Sequence, residues 1–363
     1  MGTKPRLPLK RQRRYHSLGE TQGLRKKLPT DTQKAVRNNS HAHGNDEPSA
    51  QSARAARRAL AEVWVHDPSI EEHSLPLAGG QMRYLKVGSG RPLVLVHGLL
   101  GYSFSWRFTM PALAPHATVY AIDNLGAGLS PAPAGLDCTV RATAERVLEF
   151  AESLDLGEFD LLGTSHGGAV AMMAAALAAD QTALANSAQD SAAQRNSVAR
   201  VRRLVLVAPV NPWSRRGRTL APFLASPFGS VLFRNTVERW RGLDRFWLRR
   251  LFGDAAKIPP DSLAGYRIPI LANHGFQYGS QIVKTWLADL ADLESVLPKI
   301  RDYPTLLVWG TADRAVHFAS AEPLRRNFSD ARLVAFEGVG HLPYEECPEE
   351  FNRALIEFLK SGG

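Results

Sequence analysis

The sequence predicts an α/β fold: a mostly parallel central sheet of about eight strands, flanked by helices and carrying an inserted helical cap. Three observations lead there. Six apolar runs of strand length are spread over residues 92–336. The gaps between successive runs are mostly 20–50 residues, room for one crossover helix each. One gap, 209–304, is far longer and reads as a separate helical layer over one end of the sheet.

Taken in order, residues 1–58 are polar and charged, with the stretch NNSHAHGNDEPSAQS. Such a composition buries too little apolar surface to offset the entropy of ordering, so a disordered tail is expected. SIEEHSLPL and QMRYLKVG read as an opening hairpin. The runs PLVLV (92–96), TVYAI (118–122), FDLLG (159–163), LVLVA (204–208), TLLVW (305–309) and RLVAF (332–336) suit strands buried on both faces. GGAVAMMAAALAA (167–179) is 13 residues long, too short for a bilayer span of about 20, and reads as a buried helix. DQTALANSAQDSAAQRNS (180–197) reads as a surface loop or exposed helix. The expected units are a tail (1–58), a core in two parts (59–209 and 299–363), and a cap (210–298). Within the cap, Trp213, Phe223, Phe228, Phe233, Trp240, Phe246 and Trp247 are expected to form mainly a packing face, some of them lining an entrance.

The formal charge of +9 is unevenly placed. Residues 1–60 hold 14 Lys/Arg against 4 Asp/Glu, and the remaining 303 residues hold 30 against 31. A near-neutral globular part argues against specific nucleic-acid recognition and leaves residues 1–58 suited to weak contact with an anionic membrane or polyanion. Residues 211–260, with 10 basic and 3 acidic groups, read as a solvated basic face or one that meets an acidic substrate or anionic surface. Two cysteines, Cys138 and Cys347, make no disulfide framework and no metal-ligand pattern, so no metal is expected. A cytoplasmic location is the expectation; Pro5 and Pro8 spoil the amphipathic helix that a mitochondrial presequence needs.

Gly163-Thr164-Ser165-His166-Gly167 sets a serine in G-x-S-x-G, between the run EFDLLG and the apolar helix. A sharp strand-to-helix turn exposes such a hydroxyl at a helix N-terminus, and the flanking glycines let the chain pass close by. Serine is a poor nucleophile at neutral pH and needs a base, which in turn needs an orienting acid. Asp313 follows its strand run by four residues, and His341 follows the last run by five. Asp123 also follows a strand run but leads into a Gly-rich turn that it is placed to cap. His97 reads as a loop-fixing hydrogen-bonding residue.

Five motifs in order resemble the α/β-hydrolase superfamily over about residues 70–360, in its serine-nucleophile branch with a helical cap. VLVHGLLG resembles the oxyanion loop, AIDNLGAGLS the segment after the next strand, GTSHGG the nucleophile elbow, LLVWGTADRAV the acid loop, and GVGHLPYEECPEEF the histidine loop. The resemblance implies Ser165 as nucleophile, His341 as general base and then acid, and Asp313 as orienting carboxylate. It also implies an oxyanion hole from the backbone N–H groups of Leu99 and His166, with Gly98, Gly163 and Gly167 as loop and elbow glycines. Dehalogenase and epoxide-hydrolase branches carry aspartate at the nucleophile position, so those chemistries are disfavoured. The implied function is hydrolysis of carboxylic esters of apolar small molecules through an acyl-enzyme, and hydrolysis through a serine needs no organic cofactor. Carbon-carbon hydrolysis of β-diketone-type substrates, and a receptor with negligible turnover, are the rivals.

Overall fold

The computed structural model describes residues 50–64, 67–187, 199–229, 231–232, 243–272 and 275–361. An eight-stranded sheet runs through it in the order β1-β2-β4-β3-β5-β6-β7-β8. β1 (Glu71–Leu77) and β2 (Gly80–Val87) form the opening hairpin, and β2 joins β4 (Thr118–Ile122) antiparallel. From β3 (Pro92–Val96) through β5 (Glu158–Thr164), β6 (Arg200–Val207), β7 (Thr305–Gly310) and β8 (Ala331–Phe336), every pairing is parallel. The C-terminal ends of β3 to β8 therefore share one edge, where an open α/β sheet places its ligands.

β3 and β4 coincide with their apolar runs to the residue. The run at 332–336 departs from expectation. β8 mixes half-buried and exposed positions and has no fully buried one, because it is the outer strand and is paired only with β7. The exposed Arg332 suits that edge, since a charge there discourages further strand pairing.

Helices cover both faces. α1 (Ala50–Val63) and α8 (Pro348–Lys360) lie on one; α2 (Val140–Ser153) and α3 (His166–Ser187) lie on the other. Thr139 caps α2, its Oγ1 accepting from Ala142 N at 3.2 Å. α3 is apolar on all sides at its start, as a helix must be when it is clamped between sheet and neighbouring helices. Ala169 to Ala176 are each at most 1% exposed, so a helix long enough to cross a membrane by composition serves here as the central core helix. α3 runs on to Ser187, so the first part of the 180–197 stretch is helical, one of the two expected forms; 188–198 lie outside the described residues.

The expected tail boundary at residue 58 moves. Residues 1–49 lie outside the described residues, but Ala50–Val63 is a helix whose Ala56, Ala59 and Leu60 are buried. Trp64 meets the Phe104 ring edge-on at 5.5 Å. Small residues at 55, 56 and 59 give the helix a face that packs closely, a signal hidden by the basic residues around it. A chain starting at Ala59 keeps too little of this helix to hold its dock. We expect it to melt several degrees below one starting at Ala50; equal melting temperatures would show that α1 contributes nothing to the fold.

The cap contributes α4 (Arg215–Ala225), α5 (Leu243–Leu251), α6 (Ser262–Ala272) and α7 (Gly275–Val296). α6 packs against α1, and its Gly265 gives the Phe104 ring room that a Cβ would fill. Tyr102 Oη donates to Gly265 O at 2.9 Å. Beneath, the buried Arg107 donates to Glu345 and to Asp261, both at 2.9 Å, and to Ser262 Oγ at 2.7 Å. Tyr266 also donates to Glu345. This internal ion network fixes the second half of the cap to the core.

Candidate active site

Ser165 occupies the turn between β5 and α3 with φ at +53°, in the left-handed region that a non-glycine residue rarely adopts. The neighbouring backbone is crowded enough to require its glycines. A Cβ on Gly163 would collide with Gly167 O, and one on Gly167 with His97 O. Ser165 N donates to Val207 O, and Ser165 O accepts from Val210 N, both at 2.9 Å, so the strained turn is held from β6.

Asp313 and His341 meet as the sequence predicts. His341 Nδ1–H donates to Asp313 Oδ2 at 2.7 Å, with both side chains buried. Asp313 Oδ1 accepts from the backbone N–H of Ala315 at 2.7 Å and of Val316 at 3.0 Å. A carboxylate held by three donors is fixed as an acceptor, which keeps the proton on Nδ1 and leaves Nε2 as the basic nitrogen. β6 lies between β5 and β7, so the strand ends carrying Ser165 and Asp313 stand roughly 10 Å apart, a span suited to an imidazole.

Gly98, at the end of β3, lies against the nucleophile. A Cβ built there would sit 3.0 Å from Ser165 Cβ and 3.7 Å from Oγ, in the space a substrate carbonyl needs. Gly98 O accepts from His97 Nδ1 at 2.8 Å and from Gly101 N at 3.0 Å. Carbonyl and N–H point oppositely across a trans peptide, so this anchoring directs the Leu99 N–H away from the loop interior. His166, the first residue of α3, presents an N–H that no intrahelical carbonyl can take. These two N–H groups are the candidate oxyanion donors.

The two other polar residues singled out by the sequence have structural work. His97 Nε2 accepts from Asn124 N at 3.1 Å while Nδ1 donates to Gly98, an arrangement open only to the neutral ring. Burial lowers its pKa accordingly. Asp123 accepts from Ser103 N at 2.7 Å, Leu129 N at 3.0 Å and Arg83 at 2.8 Å, closing the Gly-rich turn. It does not approach the histidine as Asp313 does.

Sequence reasoning missed Glu346. Its buried carboxylate accepts from Gly340 N at 2.8 Å, Gly253 N at 2.9 Å and Asp254 N at 2.8 Å, clasping the histidine loop to the end of the cap. His341 N itself donates to Leu251 O at 2.6 Å. Two adjacent acids directly after the histidine loop were the available signal; nothing in their spacing marks them as buried.

The His166 ring is buried under α7, stacked on Trp286 with centroids 6.3 Å apart. Burial, reinforced by nearby His97, pushes its pKa down to about 4. Between about 6.5 and 4 the unfolded chain binds a proton that the folded ring refuses, so stability falls as pH drops through that window. The loss is on the order of 3 kcal/mol at its acid end. His166→Phe keeps an aromatic ring there and should shrink the drop in urea midpoint between pH 7 and 5; an undiminished drop would place the acid sensitivity elsewhere.

Comparison with known proteins agrees with this architecture. The pattern defining the alpha/beta hydrolase family matches residues 93–354, and the chain belongs to that family. It is 29% identical over 286 residues to haloalkane dehalogenase 2 of Mycobacterium tuberculosis, covering 77% of this chain and 91% of that one. To the 2-hydroxy-6-oxo-2,4-heptadienoate hydrolase of Pseudomonas putida it is 27% identical over 304 residues, covering 78% and 94%. The naproxen esterase of Bacillus subtilis superposes with a TM-score of 0.63 at 18% identity, covering 85% and 98%, a likeness of fold.

Proposed function

We propose that the protein is a serine hydrolase that cleaves carboxylic esters of apolar small molecules through an acyl-enzyme on Ser165. The observation that carries this reading is the buried 2.7 Å contact from His341 Nδ1 to Asp313, formed at the sheet edge where the strained Ser165 turn lies. His341 Nε2 takes the proton as Ser165 Oγ attacks the carbonyl, and the Leu99 and His166 N–H groups receive the oxyanion. The imidazolium then protonates the leaving alcohol, and the neutral ring activates water for deacylation. Halide displacement, the activity named for the mycobacterial relative, does not suit this nucleophile. Alkylation of a serine yields an ether, which water cannot hydrolyse, whereas a carboxylate would yield an ester.

A fluorophosphonate should label the wild-type protein and leave Ser165→Ala unlabelled; labelling of the alanine variant would place the nucleophile elsewhere. A second reading is carbon-carbon hydrolysis of a β-diketone-type substrate by the same three residues, favoured by the likeness to the Pseudomonas oxo-dienoate hydrolase. Turnover of simple aryl esters without turnover of such diketones separates the two.

A further inference from the structure

His341 stands on the loop between β8 and the short helical turn Pro343–Glu346, so no strand or helix fixes its backbone. Its bond to Asp313 holds Nδ1 but leaves the ring free to swing about that contact. The direction of Nε2 matters, because a misplacement of about 1 Å at the reacting atoms can cost on the order of 100-fold in rate. The loop takes its position from the chain that leaves α5. His341 N donates to Leu251 O at 2.6 Å. The two backbones lie so close that a Cβ on Gly253 would strike Gly338 O, and one on Gly340 would strike Leu251 O.

Backbone N–H groups at so close a contact lose water and need acceptors. One side chain serves three of them. Glu346 Oε2 accepts from Gly340 N at 2.8 Å and from Gly253 N at 2.9 Å, and Oε1 accepts from Asp254 N at 2.8 Å. The neighbouring Glu345 has a different set of partners, Arg107, Ser262 and Tyr266. We propose that Glu346 is a positioning residue for the general base: by spanning from Gly340 to Gly253 and Asp254, it makes the place of His341 depend on how the end of α5 is seated. The inference takes from the serine-hydrolase reading only the role of His341.

On this account the reach of the side chain matters, and its charge does not. Two substitutions in the full chain separate these properties. Glu346→Asp keeps the charge but is one methylene too short to span the three N–H groups. Glu346→Gln keeps the reach: its carbonyl oxygen can stay between Gly340 and Gly253, while its NH₂ faces Asp254 N–H and loses that bond alone. For a soluble aryl ester, kcat should fall about tenfold or more in Glu346→Asp with KM nearly unchanged, and stay within about threefold of wild type in Glu346→Gln. Gly253→Ala, which forces the same contact open from the cap side with Glu346 in place, should repeat the Glu346→Asp loss. Glu345→Gln should lower the melting temperature and keep kcat within about threefold, since Glu345 does not bond the histidine loop.

The His341 Nδ1–H proton, followed by NMR and identified by its loss in His341→Ala, reads the base without turnover. It should exchange with water about tenfold faster in Glu346→Asp and in Gly253→Ala than in wild type or Glu346→Gln. The opposite order, with Glu346→Gln impaired and Glu346→Asp normal, would make charge the active property and overturn the proposal. Unchanged kcat in Glu346→Asp and Gly253→Ala would overturn it too, as would a Glu345→Gln variant as slow as Glu346→Asp. Absence of both turnover and fluorophosphonate labelling in the wild type would remove the serine-hydrolase reading instead, and the proton exchange rates would then decide the positioning of His341.

Discussion

Replacement of Ser165 by alanine is expected to lower kcat by about 10⁴ or more while leaving the fold and ligand affinity nearly unchanged. The magnitude follows from what is lost. Alanine removes the hydroxyl proposed to form the acyl bond, yet keeps a side chain small enough for the turn. Gly98, the Leu99 and His166 N–H groups and the helix N-terminus remain, so the residual rate measures electrostatic stabilisation of water attack alone. The left-handed φ of +53° stays as costly for alanine as for serine, so a fall in stability is not expected. Ester turnover with denaturant unfolding run beside it checks both parts. A variant that is stable and within tenfold of wild-type turnover would remove Ser165 from the chemistry.

The fold was legible wherever one residue type faces one environment. Strands buried on both faces leave unbroken apolar runs, which is why β3 and β4 were bounded to the residue. The contact between His341 and Asp313 could be anticipated because both residues follow strand ends that must share an edge. Failures came where burial depends on distant partners. Nothing in the sequence marks Arg83, Arg107, Glu345 and Glu346 as buried, yet all are, because each meets groups far away in sequence: Arg107 reaches Glu345 across 238 positions. α1 was missed because its apolar face is mostly alanine amid arginines, and it becomes a core helix only against Phe104 and α6. The cap aromatics Trp213, Phe223, Phe228, Phe246 and Trp247 misled in the opposite sense, being exposed where a packing face was expected, while Phe233 and Trp240 lie outside the described residues; apolar content does not say which way a face turns.

Asp313→Asn and Asp123→Asn should fail in different ways, and the hydrogen-bond geometry says how. At Asp313 the amide oxygen must face the Ala315 and Val316 N–H groups, which turns the amide NH₂ toward His341 Nδ1. Nδ1 must then accept, the imidazole proton moves to Nε2, and the base is lost although the loop geometry survives. A fall in kcat on the order of 10⁴ with a nearly unchanged melting temperature is the expected result. At Asp123 the donors come from Ser103, Leu129 and the buried Arg83, so an amide NH₂ in either orientation faces another donor. The guanidinium also loses its fully buried counter-charge; burial alone lowers the Arg83 pKa, and the Asp123 and Glu72 carboxylates outweigh that effect and raise it. Breaking such a pair by removing one partner costs about 3–5 kcal/mol. Asp123→Asn should therefore unfold at markedly lower urea while the protein that remains folded keeps turnover within about tenfold, because Asp123 makes no contact with His341. If Asp123→Asn were stable and inactive while Asp313→Asn turned over normally, the orienting acid would lie after β4 and not after β7.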